Sequence, residues 1–218
     1  MSQLFSPAAN TIARASLVGL LALLIAGAGS GYHFVHSPYV TGVGIAVAQP
    51  VPYSHAQHVG GLGLDCRYCH TGVETSNRAG IPPTETCMGC HAQVAKDSPW
   101  LDPVRASQER GEPLAWVRVH DLADYVYFNH AIHVRQGIGC ESCHGRIDRM
   151  EIVAKAEPLQ MAWCLECHRN PAAYIRPRDA VTVMGYQPPA DQSILGPQLV
   201  AEYGVETKRL TDCSVCHR

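Results

Sequence analysis

The chain has 218 residues, enough for one or two domains, and its 17 Lys and Arg against 19 Asp and Glu give a formal net charge of -2. This balance leaves no basic excess of the kind that binds nucleic acid, so we expect no nucleic-acid partner. The unusual feature is a content of ten cysteines and twelve histidines beside only 7% aromatic residues. A chain with so few large side chains has little material for a core of its own.

The first predicted element is an apolar helix. Residues 15–64 contain no Asp, Glu, Lys or Arg, and residues 17–25 read LVGLLALLI. Two interpretations compete: a cleaved export signal with small residues at 26–28 as the cleavage site, or a retained transmembrane helix of about 20 residues. We favour the retained helix and assign residues 1–36 to an N-terminal membrane anchor. Residues 37–52 contain three prolines among β-formers and are predicted to be an extended linker.

The ten cysteines all fall into five CxxCH motifs. These are Cys66/Cys69/His70, Cys87/Cys90/His91, Cys140/Cys143/His144, Cys164/Cys167/His168 and Cys213/Cys216/His217. Two thiols three positions apart can bond to both vinyl groups of one haem, and the adjacent histidine then binds the iron as its proximal ligand. Disulfides or structural zinc also use CxxC pairs, but neither needs a histidine directly after every pair. We therefore expect five covalently bound haem c groups.

The motifs are arranged as an internal repeat. Residues 53–70 read YSHAQHVGGLGLDCRYCH and residues 128–144 read FNHAIHVRQGIGCESCH, so each copy has an aromatic residue, a His-x-x-His pair and a CxxCH motif. Each copy continues to a second motif. The predicted parts of the chain after the linker are a first dihaem module at residues 53–91, a spacer at 92–127, a second dihaem module at 128–171, and a C-terminal segment at 172–218 with the fifth motif.

Short helices are expected between and around the motifs. Residues 102–110 begin with Asp and Pro and are followed by Gly111, which is typical of a helix with defined ends. Another short helix is expected near residues 198–203. The predicted fold class is a multihaem cytochrome c, mostly coil with short α-helices around a haem core, together with one N-terminal transmembrane helix.

Histidines outside the CxxCH motifs are the candidates for the distal side of each iron. His33 and His36 lie near the expected membrane boundary and are interpreted as interfacial residues. Five candidates remain, which equals the number of distal positions: His55, His58, His120, His130 and His133. Met150 and Met161 flank the fourth motif and are alternative distal ligands, since some cytochromes c use a His/Met pair. We expect the two histidines of the second His-x-x-His pair to reach different haems.

An iron with two protein ligands has no vacant position for a substrate, so its role is to gain and lose electrons. The sequence shows no Ser/His/Asp arrangement, P-loop or dinucleotide fingerprint, and we assign no catalytic residue. The expected role is that of an electron carrier within an oxidoreductase, without a substrate site of its own. Arginines near the motifs are candidate partners for haem propionates: Arg67, Arg146, Arg149, Arg169, Arg176 and Arg178.

The aromatic-x-His-x-x-His segment ahead of CxxCH resembles the small class III multihaem cytochromes c. A longer set of segments resembles the pentahaem cytochrome c subunit of alternative complex III: residues 37–70, AGIPPTETCMGCH at 79–91, WVRVHDLADYVYFNHAIHV at 116–134 and MAWCLECHRNP at 161–171. The resemblance covers most of the chain after residue 36. Ala123 is a departure, because this family is expected to have proline there.

The resemblance implies a subunit of a membrane quinol-oxidising complex, respiratory or photosynthetic. Electrons would come from an iron-sulfur partner, and ultimately from quinol at polytopic membrane subunits, and would leave towards a monohaem cytochrome c or a similar acceptor. C-type haems occur on the exported side of a membrane, and Arg14 precedes the apolar run. We therefore expect a single-pass protein of the inner, cytoplasmic membrane, with the N-terminus in the cytoplasm and the haem domain on the periplasmic side.

Two other functions stay open. A free-standing, membrane-anchored multihaem quinol dehydrogenase needs a quinone pocket, which one helix is too small to build unless the chain forms a homo-oligomer. A multihaem reductase of a small molecule such as nitrite needs an open iron, and the CxxCK motif of pentahaem nitrite reductases is absent from this sequence.

Overall fold

The computed structural model describes residues 5–217. The first four residues of the predicted anchor and Arg218 of the predicted C-terminal segment lie outside the described residues. By its contacts the chain divides into two compact units, of which the first ends at Gly42 and the second begins at Val43.

The first unit is dominated by α1, Ala9–Val35, a helix of 27 residues. At about 1.5 Å per residue it is roughly 40 Å long, and none of its side chains is buried. Its most apolar window has a mean hydropathy of 1.9, so by length and composition α1 is able to cross a membrane. The helix ends at His36, whose backbone N–H and ring Nδ1 both bond to the carbonyl of Tyr32.

A second, short helix follows in the same unit. This helix, α2, Pro38–Thr41, has proline in its first turn, where a missing N–H leaves no hydrogen bond unmade. Gly42 ends it with φ at 71°, in the left-handed region that glycine adopts without strain. The segment predicted to be extended, residues 37–52, therefore starts with a helical turn, because its first proline initiates a helix.

The second unit is a succession of short helices separated by coil. Its α-helices are α3 Cys66–Cys69, α4 Thr84–His91, α5 Asp102–Arg110, α6 His130–Arg135, α7 Glu141–His144, α8 Met161–Arg169, α9 Gln192–Glu202 and α10 Cys213–Cys216. A π-helical turn, Ala56–Gly61, precedes α3. Single 3₁₀ turns are found at Pro99–Leu101, Ile147–Arg149, Pro171–Ala173, Arg178–Ala180 and Thr207–Arg209.

Sheet structure contributes very little to this unit. Within residues 5–217 it is limited to isolated bridges, which join Val43 to Lys155, Ala46 to Ala154, Val126 to His217 and Ile138 to Ile175. The prediction of short helices and coil with little regular sheet is confirmed.

Local sequence explains where several of these helices begin and end. The helix α5 has Pro103 in its first turn and is closed by Gly111 with φ at 65°, as the sequence predicts. The expectation that Asp102 is the N-cap is wrong, because the N-cap is Leu101 and Asp102 already belongs to the first turn. The helix α6 starts after Asn129, whose side chain accepts a hydrogen bond from the backbone N–H of Ile132. Such a cap satisfies an N–H group that has no partner within the helix.

The helix α9 begins at Gln192, several residues before the start predicted near residue 198. Pro197 lies inside it, and in a sequence a proline usually indicates a helix start. A tertiary contact holds the first turns, since Gln192 Nε2 donates to the carbonyls of Ala172 and Ile175 at 2.8 and 2.9 Å. Gly196 packs so closely on Ala172 that a Cβ there would overlap the carbonyl oxygen.

The apolar core of the second unit is small. Its buried hydrophobic residues, among those the structure describes, are Val51, Val73, Val104, Ala131, Ile175, Val181 and Leu199. Side chains of this number and size remove little apolar surface from water for a unit of this length. The stability of the unit therefore needs a further apolar contribution, which a haem-centred interior would supply.

We expect Gly196→Ala to destabilise the second unit by about 1–3 kcal/mol, because the new Cβ forces α9 away from the turn at Pro171–Ala173. Thermal unfolding followed by circular dichroism measures the change. Ser193→Ala, at an exposed position of the same helix, is the matched control and is expected to change stability by less than about 0.5 kcal/mol. Equal stability of the two variants would contradict the close packing of Gly196.

Candidate functional site

The five CxxCH motifs share one local geometry. In each motif the two cysteines lie three positions apart on a helical turn, and the histidine directly follows the second cysteine. The ten cysteines are partly buried or exposed. Residues i and i+3 of a helical turn lie on the same face, so each pair presents both thiols to one side. This is the arrangement needed to attach one haem through two thioether bonds.

Most of the predicted iron ligands have one ring nitrogen bound to the backbone. The Nδ1–H groups of seven histidines donate to carbonyls: His58 to Ser54 at 2.8 Å, His70 to Gly80 at 2.7 Å, His91 to Val94 at 2.9 Å, His130 to Asn77 at 3.0 Å, His133 to Asn129 at 2.8 Å, His168 to Leu210 at 2.8 Å and His217 to Tyr125 at 3.2 Å. In this tautomer Nε2 carries the lone pair, and a hydrogen-bonded Nδ1 is typical of histidines that bind a metal. The donor set therefore fits haem iron.

The three other predicted ligands lie in apolar surroundings. Burial lowers the pKa of His55 to about 4, with a further contribution from His70. Burial likewise lowers the pKa of His120 to about 4 and that of His144 to about 3. All three imidazoles are therefore neutral at pH 7, which is the form that binds a metal. The Nδ1 of His55 and the Nε2 of His120 are buried without a hydrogen-bond partner, so each has a lone pair or proton to offer.

Several of these histidines face each other in pairs. The ring centres of His58 and His91 are 6.1 Å apart, those of His133 and His168 are 6.2 Å apart, and those of His130 and His144 are 6.4 Å apart. Two metal–nitrogen bonds of about 2 Å, with roughly 1 Å from each Nε2 to its ring centre, place two axial imidazoles about 6 Å apart. The three separations agree with two histidines on opposite sides of one iron.

An aromatic residue packs against each His-x-x-His pair in the same way. Tyr53 stacks on His58 at 4.4 Å and 25° and meets His55 edge-on at 4.8 Å. Phe128 stacks on His133 at 4.4 Å and 26° and meets His130 edge-on at 4.8 Å. The repeat seen in the sequence is thus reproduced in side-chain geometry. The role of these two aromatics is not evident from the sequence alone, although their place two residues before each pair is a signal of it.

His120 and His217 do not face each other as the three histidine pairs do. The ring of His120 lies 4.3 Å from that of His144, in the third motif. The ring that His217 contacts is that of Tyr125, at 5.7 Å. Of the two alternative ligands, Met161 is 63% exposed at the start of α8, and Met150 follows the 3₁₀ turn Ile147–Arg149. The third motif therefore has two neighbouring candidate histidines, and none of the predicted distal histidines contacts His217.

Neighbouring thiols establish which motifs lie side by side. Burial raises the pKa of Cys69 and the Cys87 thiol raises it further, so the first and second motifs are neighbours. A hydrogen bond between the Cys66 and Cys140 thiols lowers the pKa of Cys66 and joins the first motif to the third. The other neighbouring pairs are Cys143 with Cys167 and Cys164 with Cys216. These neighbours link the second motif to the first, the first to the third, the third to the fourth and the fourth to the fifth.

The two modules are also joined through their His-x-x-His segments. The backbone N–H of Ala56, in the first module, donates to the carbonyl of Met150 at 3.0 Å. The equivalent N–H of Ala131, in the second module, donates to the carbonyl of Ser76 at 3.0 Å. Each segment therefore rests on the loop that follows the first CxxCH motif of the other module. We call this pair of contacts the reciprocal brace.

The low pKa values of the buried histidines predict a loss of stability in acid. Between about pH 6.5 and pH 4 the unfolded chain binds protons that His55, His120 and His144 do not bind when folded, so the free energy of unfolding falls as the pH falls. Urea unfolding followed by circular dichroism at pH 7, 5.5 and 4.5 measures this free energy. The variant His36→Gln, at an exposed position, should show the same dependence of the free energy of unfolding on pH. A stability that does not change between pH 7 and pH 4.5 would contradict the burial of these rings.

Two comparisons with known proteins give matches. Residues 126–218 match the family model described as cytochrome c7 and related cytochrome c. A protein of Nitratidesulfovibrio vulgaris, the multihaem cytochrome c subunit of menaquinone reductase, is 34% identical over 97 residues, which is 44% of this chain and 45% of that protein. The chain thus spans less than half the length of this relative. The described part of the chain is helical and mostly coil, and the family matched by residues 126–218 implies covalently bound c-type haem.

Proposed function

We propose that the protein is the electron-transfer subunit of a membrane quinol-oxidising complex and that it binds five haem c groups, one at each CxxCH motif. The observation that carries this proposal is the facing of histidine rings at 6.1 to 6.4 Å. Two facing imidazoles fill both axial positions of one iron and leave none for a substrate. Such coordination suits an electron carrier and argues against a reductase that needs an open iron.

The same pairing assigns most distal ligands. The proposed pairs are His58 with His91, His133 with His168, His130 with His144 and His55 with His70. The last pair rests on the neighbourhood of the two rings, since burial lowers the pKa of His55 and His70 lowers it further, by more than His58 does. Three candidates for the iron at His217 remain: His120, Met150 and Met161. In this assignment the two histidines of each His-x-x-His pair serve different haems.

Haem c supplies one-electron chemistry, since its iron alternates between the ferric and ferrous states. The residues of the chain hold and orient it. The thiols fix the edge of each porphyrin to a helical turn, and the carbonyls bound to Nδ1 fix the tautomer and the plane of each ligand ring. Tyr53 and Phe128 cover the ligand rings on one side and reduce their contact with water.

The spatial order of the motifs supports a single conducting path. Neighbouring thiols bring the attached edges of successive haems together along the whole series. The second and fifth motifs are the ends of this series, and each has an exposed cysteine, Cys90 and Cys213. We therefore assign the exchange of electrons with other proteins to these two ends.

The membrane and partner assignments rest on α1 and on the relative. The helix α1 is long and apolar enough to cross a membrane. We propose that it anchors the chain in the inner membrane, with the N-terminus in the cytoplasm and the haem domain on the periplasmic side. The relative is a subunit of menaquinone reductase, which favours a quinone-linked membrane complex here too. We propose that its partners are an iron-sulfur subunit, polytopic quinol-binding subunits and a monohaem cytochrome c, as in alternative complex III.

A second candidate is favoured by the name of the same relative. That protein belongs to an enzyme that reduces menaquinone, so the present chain would then carry electrons towards quinone and not away from it. The residues have the same roles in both directions, because the path and its ligands are unchanged. The direction is decided by the potentials of the partner proteins.

Replacing one proposed distal ligand by methionine should change one haem. We expect His133→Met to raise the potential of a single haem while the chain keeps all five, because a His/Met iron has a higher potential than a bis-His iron. A redox titration followed by visible spectroscopy measures the potential, and mass spectrometry counts the haems. His36→Met is the matched control, since His36 is exposed. An unchanged titration with full haem content would contradict the pairing of His133 with His168.

Purification in a mild detergent tests the proposed complex. The tagged full chain, extracted from its own membranes, is expected to bring an iron-sulfur subunit and polytopic membrane subunits with it. Mass spectrometry identifies these subunits. When a reduced quinol analogue is added to the purified sample, we expect the analogue to be oxidised while the haem is reduced. Recovery of a homo-oligomer without large membrane partners would instead support a free-standing quinol dehydrogenase.

A further inference from the structure

A buried ion pair joins the third CxxCH motif to the C-terminal segment. Arg176 Nη1 donates to Glu141 Oε1 at 3.0 Å, and the two side chains are only 7% and 12% exposed. The carboxylate of Glu141 also accepts from the backbone N–H groups of Gly185 and Tyr186, at 2.6 and 3.0 Å. The guanidinium of Arg176 lies over the ring of Tyr186, 4.5 Å from its centre. Both charges are therefore held in one place.

The pair lies where the first and third motifs meet. Glu141 occupies the position directly after the first cysteine of the third motif; the other motifs have Arg67, Met88, Leu165 and Ser214 there, none of them acidic. The guanidinium of Arg176 packs against Gly139, where a Cβ would overlap it. Cys140 follows Gly139, and its sulfur is a close neighbour of that of Cys66. A fixed positive charge thus lies beside the thiols of two motifs.

The packing of this pair does not by itself account for its charges. Buried ion pairs can often be replaced by apolar side chains of similar volume with no loss of stability. Arg176 also has an Nε that is buried without a hydrogen-bond partner, which is unfavourable for folding. A role that uses the charge itself explains both features better than packing does.

Two other ion pairs are well exposed to water. The side chains of Arg67 and Asp65 are 50% and 40% exposed, and those of Arg118 and Asp121 are 66% and 61% exposed. Water and salt screen such charges, whereas screening is weak for a pair that is almost completely buried. Arg176 and Glu141 therefore act over a longer distance on their surroundings than the exposed pairs do.

We infer that Arg176 and Glu141 are opposed fixed charges that set the reduction potentials of the haems at the first and third motifs. Reduction adds one electron to a haem, so a nearby positive charge favours the ferrous form and a nearby negative charge disfavours it. Arg176 raises these potentials and Glu141 lowers them, so the balance of the two charges sets the potentials of the second and third members of the series. The inference rests on the proposed function, which places haem at both motifs.

The test uses charge-removing variants of nearly unchanged size in the full haem-loaded chain. Glu141→Gln is expected to raise the ferrous-to-ferric ratio of one or two haems by about tenfold at a fixed applied potential, which is a shift of about 59 mV for a one-electron couple. Arg176→Gln is expected to change the same ratio in the opposite direction. The double variant should return close to the wild-type titration.

Two further variants separate charge from structure. Arg176→Lys keeps the positive charge but loses the planar guanidinium, so the potentials should stay close to wild type even if stability falls. Arg118→Gln, which breaks the exposed pair with Asp121, is the matched control and should leave every potential unchanged. If Arg176→Gln does not fold, Glu141→Gln and Arg176→Lys still decide the question.

Potential shifts of the same sign in Glu141→Gln and Arg176→Gln would overturn the inference. Disordering of the motif, unlike loss of a charge, changes the potentials of both variants in the same direction. Unchanged potentials in Glu141→Gln with all haems present would overturn it too. The haem content of the wild-type chain is measured first. A wild-type chain with fewer than five haems, or with mainly high-spin iron, would contradict the proposed function, independently of the direction of these shifts.

Discussion

The arrangement of the candidate ligands depends on one kind of hydrogen bond, from a histidine Nδ1 to a backbone carbonyl. Some acceptors are local, such as the carbonyl of Asn129 four residues before His133. Others are distant in sequence: the acceptors of His130, His168 and His217 lie 53, 42 and 92 residues away. The local bonds orient a ring on its own helical turn, and the distant bonds hold coil segments together. Tertiary contacts and ligand orientation are therefore the same interactions in much of this unit.

This coupling compensates for the small apolar core. Few hydrophobic side chains are buried, and most of them are valines or alanine, so the short helices have little to pack against. In the proposed function the porphyrins would supply apolar area, and their ligands would supply defined contacts between helices far apart in the chain. Folding is then linked to cofactor attachment in the way that small metal domains are linked to their metal. The free energy of folding and the geometry of the redox centres cannot be varied separately.

The sequence predicts the parts of this structure that short-range rules determine. The CxxCH turns, the duplicated His-x-x-His segments and the capped helix at Asp102–Arg110 all follow from spacing within a few residues. The start of α9 does not, because a contact with Ala172 outweighs the usual meaning of Pro197. The neighbour of His120 could not be predicted either. The number of candidate distal histidines equals the number of predicted irons. Only the fold, however, places His120 beside His144 and leaves His217 beside Tyr125.

The reciprocal brace has a consequence for how such a chain is made and inherited. Synthesis proceeds from the N-terminus, so the segment at Ala56 has no acceptor until Met150 has been added, 94 residues later by their numbers. The first module cannot reach its final form ahead of the second. Deleting, exchanging or copying one module would remove the partners of the other module in the two hydrogen bonds of the reciprocal brace. The two similar segments therefore assemble as one unit, and neither copy of the repeat can be transferred alone.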